Sequence, residues 1–271
     1  MRTLRRMVIL CVISGVSVFA QPDSALNLRE EHFIEGVYSD FYVDNLSNIY
    51  LLNSDDQIKK INDRGDSVSV YNAMRKYGDI YSMDVTNPLK ILVYYKDFGT
   101  IVLLDRFLSS LNTIDLRKYG ILQAKAVAQS YDNNYWVFDE VENKLKKIDD
   151  YGNALLTTPD FRMIFNEQFV PLKIIDYNNL VYLYDQQFGW MIFDHYGAFK
   201  QKIQLPGLEH VQVERTELYG SNSSNLYCFD VSTFKERSFD LVLSGSNIKI
   251  QKGFNLLYVL QGDGLHIYTI R

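Results

Sequence analysis

Cysteine is nearly absent from this chain: 271 residues hold two, Cys11 and Cys228. Cys11 falls in an N-terminal stretch read below as a removable leader, so no intrachain disulfide is available to the remainder, and packed apolar surface has to carry stability. Proline is scarce, at five residues, and no low-complexity run occurs, which excludes a largely disordered polypeptide. Positive charge is in deficit, with 28 Lys and Arg against 33 Asp and Glu. That balance argues against a nucleic-acid partner, whose phosphates demand a basic surface. Beyond the leader no apolar run approaches the roughly 20 residues that cross a bilayer as a helix, so no transmembrane segment is expected in the mature chain. HExxH, G-x-S-x-G, Walker and G-x-G-x-x-G sequences are all missing, and with them the usual signatures of zinc-protease, esterase, nucleotide and dinucleotide chemistry.

The leader itself is recognisable from its physical order. Basic Arg2, Arg5 and Arg6 precede an apolar core from Met7 through Val16, and Val18 and Ala20 stand ahead of Gln21. This is the arrangement of a secretory signal peptide over residues 1–20, leaving 21–271 as a single exported domain, periplasmic or extracellular. Bulky Leu10 before Cys11 is a poor fit to a lipoprotein signal. Loss of three arginines makes the mature chain more acidic still.

What the sequence has in abundance is apolar and aromatic surface: 47% hydrophobic residues, with 20 Tyr and 16 Phe, a composition suited to pleated sheets. It also has a period. An aliphatic or aromatic residue followed by Asp or Asn recurs as Ile61-Asn62-Asp63-Arg64-Gly65, Leu104-Asp105, Ile148-Asp149-Asp150-Tyr151-Gly152, Phe193-Asp194-His195-Tyr196-Gly197 and Phe229-Asp230, spaced by about forty residues. Arg75-Lys76-Tyr77-Gly78 returns in step as Arg117-Lys118-Tyr119-Gly120. Within each repeat, three or four short apolar or alternating runs are separated by Asn, Asp and Gly, as strands and tight turns are. In the third unit these runs are 124–129, 135–139, 144–148 and a fourth from Ala154; in the fourth they are 172–176, 180–184, 190–193 and 199–205.

A four-stranded unit of this length is one blade of a β-propeller. Units begin near Phe41, Ile80, Ala124, Leu172, His210 and Ile248, which predicts an all-β, six-bladed propeller with four-stranded blades. The sixth unit ends one strand short after Leu265 to Ile270, and His32-Phe33-Ile34, ahead of the first unit, supplies a suitable run. The ring is therefore expected to close with an N-terminal strand completing the last blade, which removes the exposed edges of an open array. In its short blades, aliphatic-Asp-x-x-Gly turns and Asn-rich turns, the chain resembles the six-bladed propellers of the NHL and TolB-like group. That resemblance implies the fold and leaves activity open, since such propellers range from binding scaffolds to hydrolases and lactonases.

Candidate site residues follow from the expected ring. Outer-to-inner crossings and second-to-third turns emerge on one face, which would gather Arg75, Lys76, Tyr77, Arg117, Lys118, Tyr119, Phe188 and Trp190 with Phe161, Arg162, Phe165 and Phe169 of the long Pro159–Pro171 connection. Aromatic and Arg side chains on loops are what protein-binding hot spots use. The tyrosines have a competing role as wedges between blades. The expected partners are proteins of the cell envelope, as the chain looks like the exported propeller accessories of outer-membrane secretion and assembly machines; the reading is non-enzymatic and needs no cofactor. The alternative is a hydrolase, lactonase or small-ligand binder using Ca²⁺ held by Asp97, Asp139, Asp185 and Asp263, should these turn carboxylates converge near the axis. Against it, Asp is also what hairpin turns select for their own hydrogen bonding. His195 reads as a turn residue, and Cys228 as a small core residue on a strand.

Overall fold

A computed structural model describes residues 24–270 apart from 223, 242 and 244–248; the leader reading of residues 1–20 lies outside the described residues. Six antiparallel sheets follow one another along the chain, each a meander whose first strand lines a central axis. The inner strands are Asp40–Val43, Ser82–Asp84, Ala124–Gln129, Lys173–Tyr177, Glu209–Glu214 and Lys249–Lys252. Blade three has the strands anticipated from its pattern, Ala124–Gln129, Tyr135–Asp139, Lys144–Ile148 and Ala154–Thr157. The second strand of a blade is buried on both sides, as in Tyr135–Asp139 and Leu180–Asp185. Apolar side chains of adjacent blades interdigitate in a series of inter-blade cores, one of which joins Trp136 and Phe138 of blade three to Val181, Leu183, Met191 and Phe193 of blade four.

Closure occurs as expected. Leu28–Glu35 pairs antiparallel with Gly264–Ile270, setting Phe33 opposite His266 and Ile34 opposite Leu265. His266 reinforces the join, its Nδ1 2.8 Å from Glu30 and its Nε2 3.1 Å from Asp263. The N-terminal chain then continues the clasp in a way the repeat did not announce: Ser24–Ala25 pairs in parallel with Phe239 and Asp240, a fifth strand on blade five. Blades are also tied at the axis by side-chain amides. Gln251 of blade six exchanges two hydrogen bonds with the backbone of Val43 in blade one (3.2 and 3.1 Å), and Gln212 of blade five does the same with Lys252 in blade six (3.2 and 2.7 Å). Each glutamine thus stands in for a missing strand partner, satisfying an amide and a carbonyl where two inner strands splay apart.

Candidate functional site

Strand direction sorts the loops into two faces. Contacts on the first join crossings to second-to-third turns: Leu116 N donates to Gly99 O, Glu140 N to Gln123 O, Phe161 N to Asn143 O and Gly207 N to Gln186 O. The residues expected to bind a partner do gather around this crossing face, yet several are consumed by the core. Phe161, Phe169 and Trp190 are each fully buried, which corrects their reading as contact residues. The helical turn Phe161–Phe165, capped by Asp160, folds its first ring between blades three and four. Phe161 there stacks on Phe193 at 5.0 Å and meets Phe138 at 5.5 Å. Phe165 and Phe188 pack half-buried against the same core. Trp190 lies 5.0 Å from Tyr184 within blade four.

The tyrosines serve as wedges. Tyr77 packs on Tyr95 at 5.1 Å, and Tyr119 covers Gly152 so closely that a Cβ there would come within 2.4 Å of its ring. Arg75, Lys76, Lys118 and Arg162 remain exposed; Arg162 is engaged locally by Asp160 (2.7 Å), and Arg117 by the carbonyl of Asp97 (2.6 Å).

The four turn carboxylates do not converge on the axis, which corrects the geometry on which a Ca²⁺ site was based. Asp139 accepts from Val141 N and Glu142 N and holds buried Lys146 at 2.7 Å. Asp185 accepts from Val170 N, Gln187 N and Phe188 N, and Asp263 pairs with His266. Asp139, Asp185 and Asp263 are thus committed to their own turns or the adjoining connection, the local role that favours Asp at such positions. Among the described residues no group of three or more His, Cys, Asp or Glu side chains is arranged to hold a metal ion. Cys228 is buried on its strand, its thiol pushed up to about 11 by burial and by Glu217, and so is a poor nucleophile.

The opposite face, built from first-to-second and third-to-fourth turns, carries what the sequence reading passed over. The recurrent Asp or Asn at the third-to-fourth turns of blades one to four accepts backbone amides two and four residues on: Asn62 from Arg64 and Asp66, Asp105 from Phe107 and Ser109, Asp149 from Tyr151 and Asn153, Asp194 from Tyr196 and Ala198. The residue three on takes positive φ, Gly152 at +92° and Gly197 at +78°, with Leu108 at +62° doing so without glycine. This geometry turns the residue two after the Asp outward, and in blades two, three and four that residue is Phe107, Tyr151 or Tyr196. Their exposures run from 53% for Phe107 to 87% for Tyr196. Phe234 in the corresponding longer turn of blade five, and Tyr131 and Phe254 in first-to-second turns, extend the array, and all three are exposed. The repeat motif was itself the available signal, since its variable position is the one held out to solvent.

Behind Tyr131, Asp176 gathers Ser130 Oγ (2.8 Å), Trp136 Nε1 (2.8 Å) and His195 Nε2 (3.0 Å), and the His195 ring stacks on Tyr131 at 4.2 Å. His195 is a turn residue as anticipated, and the serine hydroxyl donates to the carboxylate instead of to the imidazole. The arrangement orients the turn and does not activate a nucleophile.

Between the faces runs an axial cavity of about 750 Å³, lined by the inner strands. At its crossing-face end, Lys249 Nζ lies 2.6 Å from Asp40 Oδ1 and 2.7 Å from the carbonyl of Phe41, 3.7 Å from the centre of the Tyr42 ring. Burial, helped by the charge of Lys173, lowers the ammonium to about 8 against the opposing pull of Asp40. A lysine depressed in the fold binds fewer protons than the unfolded chain between its two pKa values, so this group contributes stability that rises from about pH 8 toward the ordinary lysine range near 10.4. An NMR titration of the lysine side chains is expected to show one ammonium with a midpoint near 8, assigned to Lys249 by its loss in Lys249→Met. A common midpoint above 10 for every lysine defeats the expectation.

The chain matches no family model and no curated protein. Solved structures do share its architecture. A streptogramin B lyase is 13% identical with a TM-score of 0.60, covering 85% of this chain and 78% of its own. BamB from Moraxella catarrhalis is 11% identical with a TM-score of 0.57, covering 90% and 100%. The WD40 domain of Pan2 from Neurospora crassa is 9% identical with a TM-score of 0.62, covering 92% and 96%. Proteins of such different kinds at such low identity establish the propeller fold alone.

Proposed function

We propose that this chain is an exported, non-enzymatic propeller that binds a protein partner as an accessory of a cell-envelope assembly, through the face built by its first-to-second and third-to-fourth turns. The observation that carries the reading is the outward aromatic at successive third-to-fourth turns, Phe107, Tyr151, Tyr196 and Phe234. Nothing in the turn itself calls for an aromatic there, because the side chain points away from the blade; blade one fills the position with Arg64 and makes the same hydrogen bonds. Large rings held rigidly in solvent are costly to leave bare and effective when covered. The exported setting rests on the basic-apolar leader over residues 1–20.

The test is affinity capture from detergent-solubilised envelopes with the full exported chain as bait. Replacing Tyr151, Tyr196 and Phe234 together by Ser is expected to lower recovery of the partner by about tenfold or more while leaving stability within about 0.5 kcal/mol per site. Replacing Arg75, Arg117 and Arg162 by Ala on the crossing face is expected to leave recovery unchanged. Retention by the first variant and loss by the second moves the interface to the crossing face, and a bait that captures nothing in repeated trials rejects the reading.

A further inference from the structure

The axial cavity has a chemistry of its own, at the end opposite the aromatic face. Its volume of about 750 Å³ falls within the range of small-molecule sites, roughly 300–1,000 Å³. Ile175 and Val211, both half-buried, present apolar wall to it, with Met83 and Val85 buried in the core behind the lining. Two ammonium groups enter from different blades: Lys173 opens the inner strand of blade four and Lys249 that of blade six. Both approach the ring of Tyr42 from blade one, at 5.9 and 3.7 Å.

Lysines at strand ends ordinarily extend their heads into water. Lys249 is instead drawn inward by Asp40 and by the Phe41 carbonyl, and is only 18% exposed. Lys173 has no carboxylate within ion-pair distance among the described residues; its ammonium faces the ring of Tyr42. The third basic group here is His210, at a bulge in the inner strand of blade five with φ +49°. Burial and Lys249 both hold its imidazole below the usual range. The carboxylates near these groups are Asp40, already shared between Lys249 and the amide of Phe41; Glu209, which is exposed and 3.9 Å from His210; and Asp84, which lines the same cavity near the Tyr42 phenol and accepts from Thr86 N and Gln129 N. Like charges confined together in a low-dielectric space repel strongly, and an anion placed between them converts the repulsion into attraction.

We propose that the crossing-face end of the channel binds a small amphiphilic anion, an apolar body bearing one carboxylate or phosphate group, with Lys173 and Lys249 on the anionic group and the Ile175 and Val211 walls on the body. Lysines act as point charges without the fork that selects an oxyanion geometry, so either anion satisfies the same chemistry. The ligand enters from the face away from the aromatic array, and its binding is independent of the protein partner proposed above.

The experiment is calorimetric titration of the full exported chain with 1-naphthoate and with 1-naphthyl phosphate, using neutral 1-naphthol as control. Saturable one-site binding of at least one anion is expected, and the tighter of the two identifies the source class. Lys173→Met is expected to weaken it by about tenfold or more, and Lys173→Arg, which keeps the charge, to retain most of it. Lys76→Met on the exterior is expected to leave it unchanged. Lys173 makes no ion pair among the described residues and is repelled by Lys249, so Lys173→Met should not lower the melting temperature, which is measured alongside. The proposal is overturned by naphthol binding as tightly as the anions, by equal affinity in Lys173→Met, or by the failure of both anions to saturate the wild-type chain. Partner capture by the aromatic face is expected to be unaffected by Lys173→Met, so the two proposals fail separately.

Discussion

Phe161→Ala is expected to destabilise the protein by about 3–5 kcal/mol, the cost of truncating a fully enclosed ring, and to leave partner capture intact in whatever fraction stays folded. The ring has no exposed surface and touches four others, Phe138, Phe165, Phe169 and Phe193, at centroid separations between 5.0 and 6.1 Å. Phe138 and Phe193 belong to the two blades that flank it, so the cavity left by alanine opens at the seam between modules, where neither sheet can move inward without giving up its own register. Urea unfolding followed by tryptophan fluorescence is a suitable readout, because Trp136 and Trp190 lie in blades three and four. Met163→Ala in the same helical turn is the matched control: Met163 is 84% exposed, and its loss should cost no more than about 0.5 kcal/mol. Equal, small effects from both substitutions would return the Pro159–Pro171 connection to the surface and reinstate it as a docking loop.

That contrast also locates the boundary of what the sequence could tell. A period of about forty residues and the Asn, Asp and Gly between short apolar runs were sufficient for blade number, for strand positions in blade three to the residue, and for closure through His32-Phe33-Ile34. These features are legible because a turn and a repeat are local. Exposure is not local in a propeller: blades cover one another on both faces, so a strand such as Gly189–Asp194 loses the alternation that distinguishes an inward from an outward side chain. Trp190 therefore carried no mark of its burial. Phe161 and Phe169 failed for a related reason, since a long connection with several aromatics reads alike whether it docks a partner or plugs a seam. By contrast, Tyr151 and Tyr196 were readable in principle. An Asp that accepts amides two and four residues on fixes the intervening side chain outward wherever the motif occurs. The channel lysines were not readable at all, because Lys173 and Lys249 become neighbours only when blades one, four and six share an axis.

Gly264→Ala is expected to break the ring at the seam where its first and last strands meet, held by strand pairing and packing alone. Gly264 sits at φ +155° opposite Glu35, and a Cβ added there would lie 2.3 Å from the backbone oxygen of Ile34 and 2.8 Å from the Phe33 ring. The first of these obstacles is main chain and cannot rotate away, so the N-terminal strand must shift. Its antiparallel pairing with Gly264–Ile270, its share of the core formed by Ile34, Tyr258, Leu265 and Ile267, and the His266 contacts to Glu30 and Asp263 then weaken together. A cost of about 2–4 kcal/mol is expected, against about 1 kcal/mol for Gly65→Ala, where φ is +83° but the added methyl meets nothing within 4 Å. Hydrogen exchange separates a local from a global consequence. Amides of Phe33 to Glu35 and of Leu265 to Ile267 should lose protection first, while those of Tyr135–Asp139 in blade three keep theirs until the whole domain unfolds. Uniform loss across all six blades would mean that the ring tolerates no opening short of unfolding; unchanged protection at the seam would mean that the N-terminal strand is not what closes it.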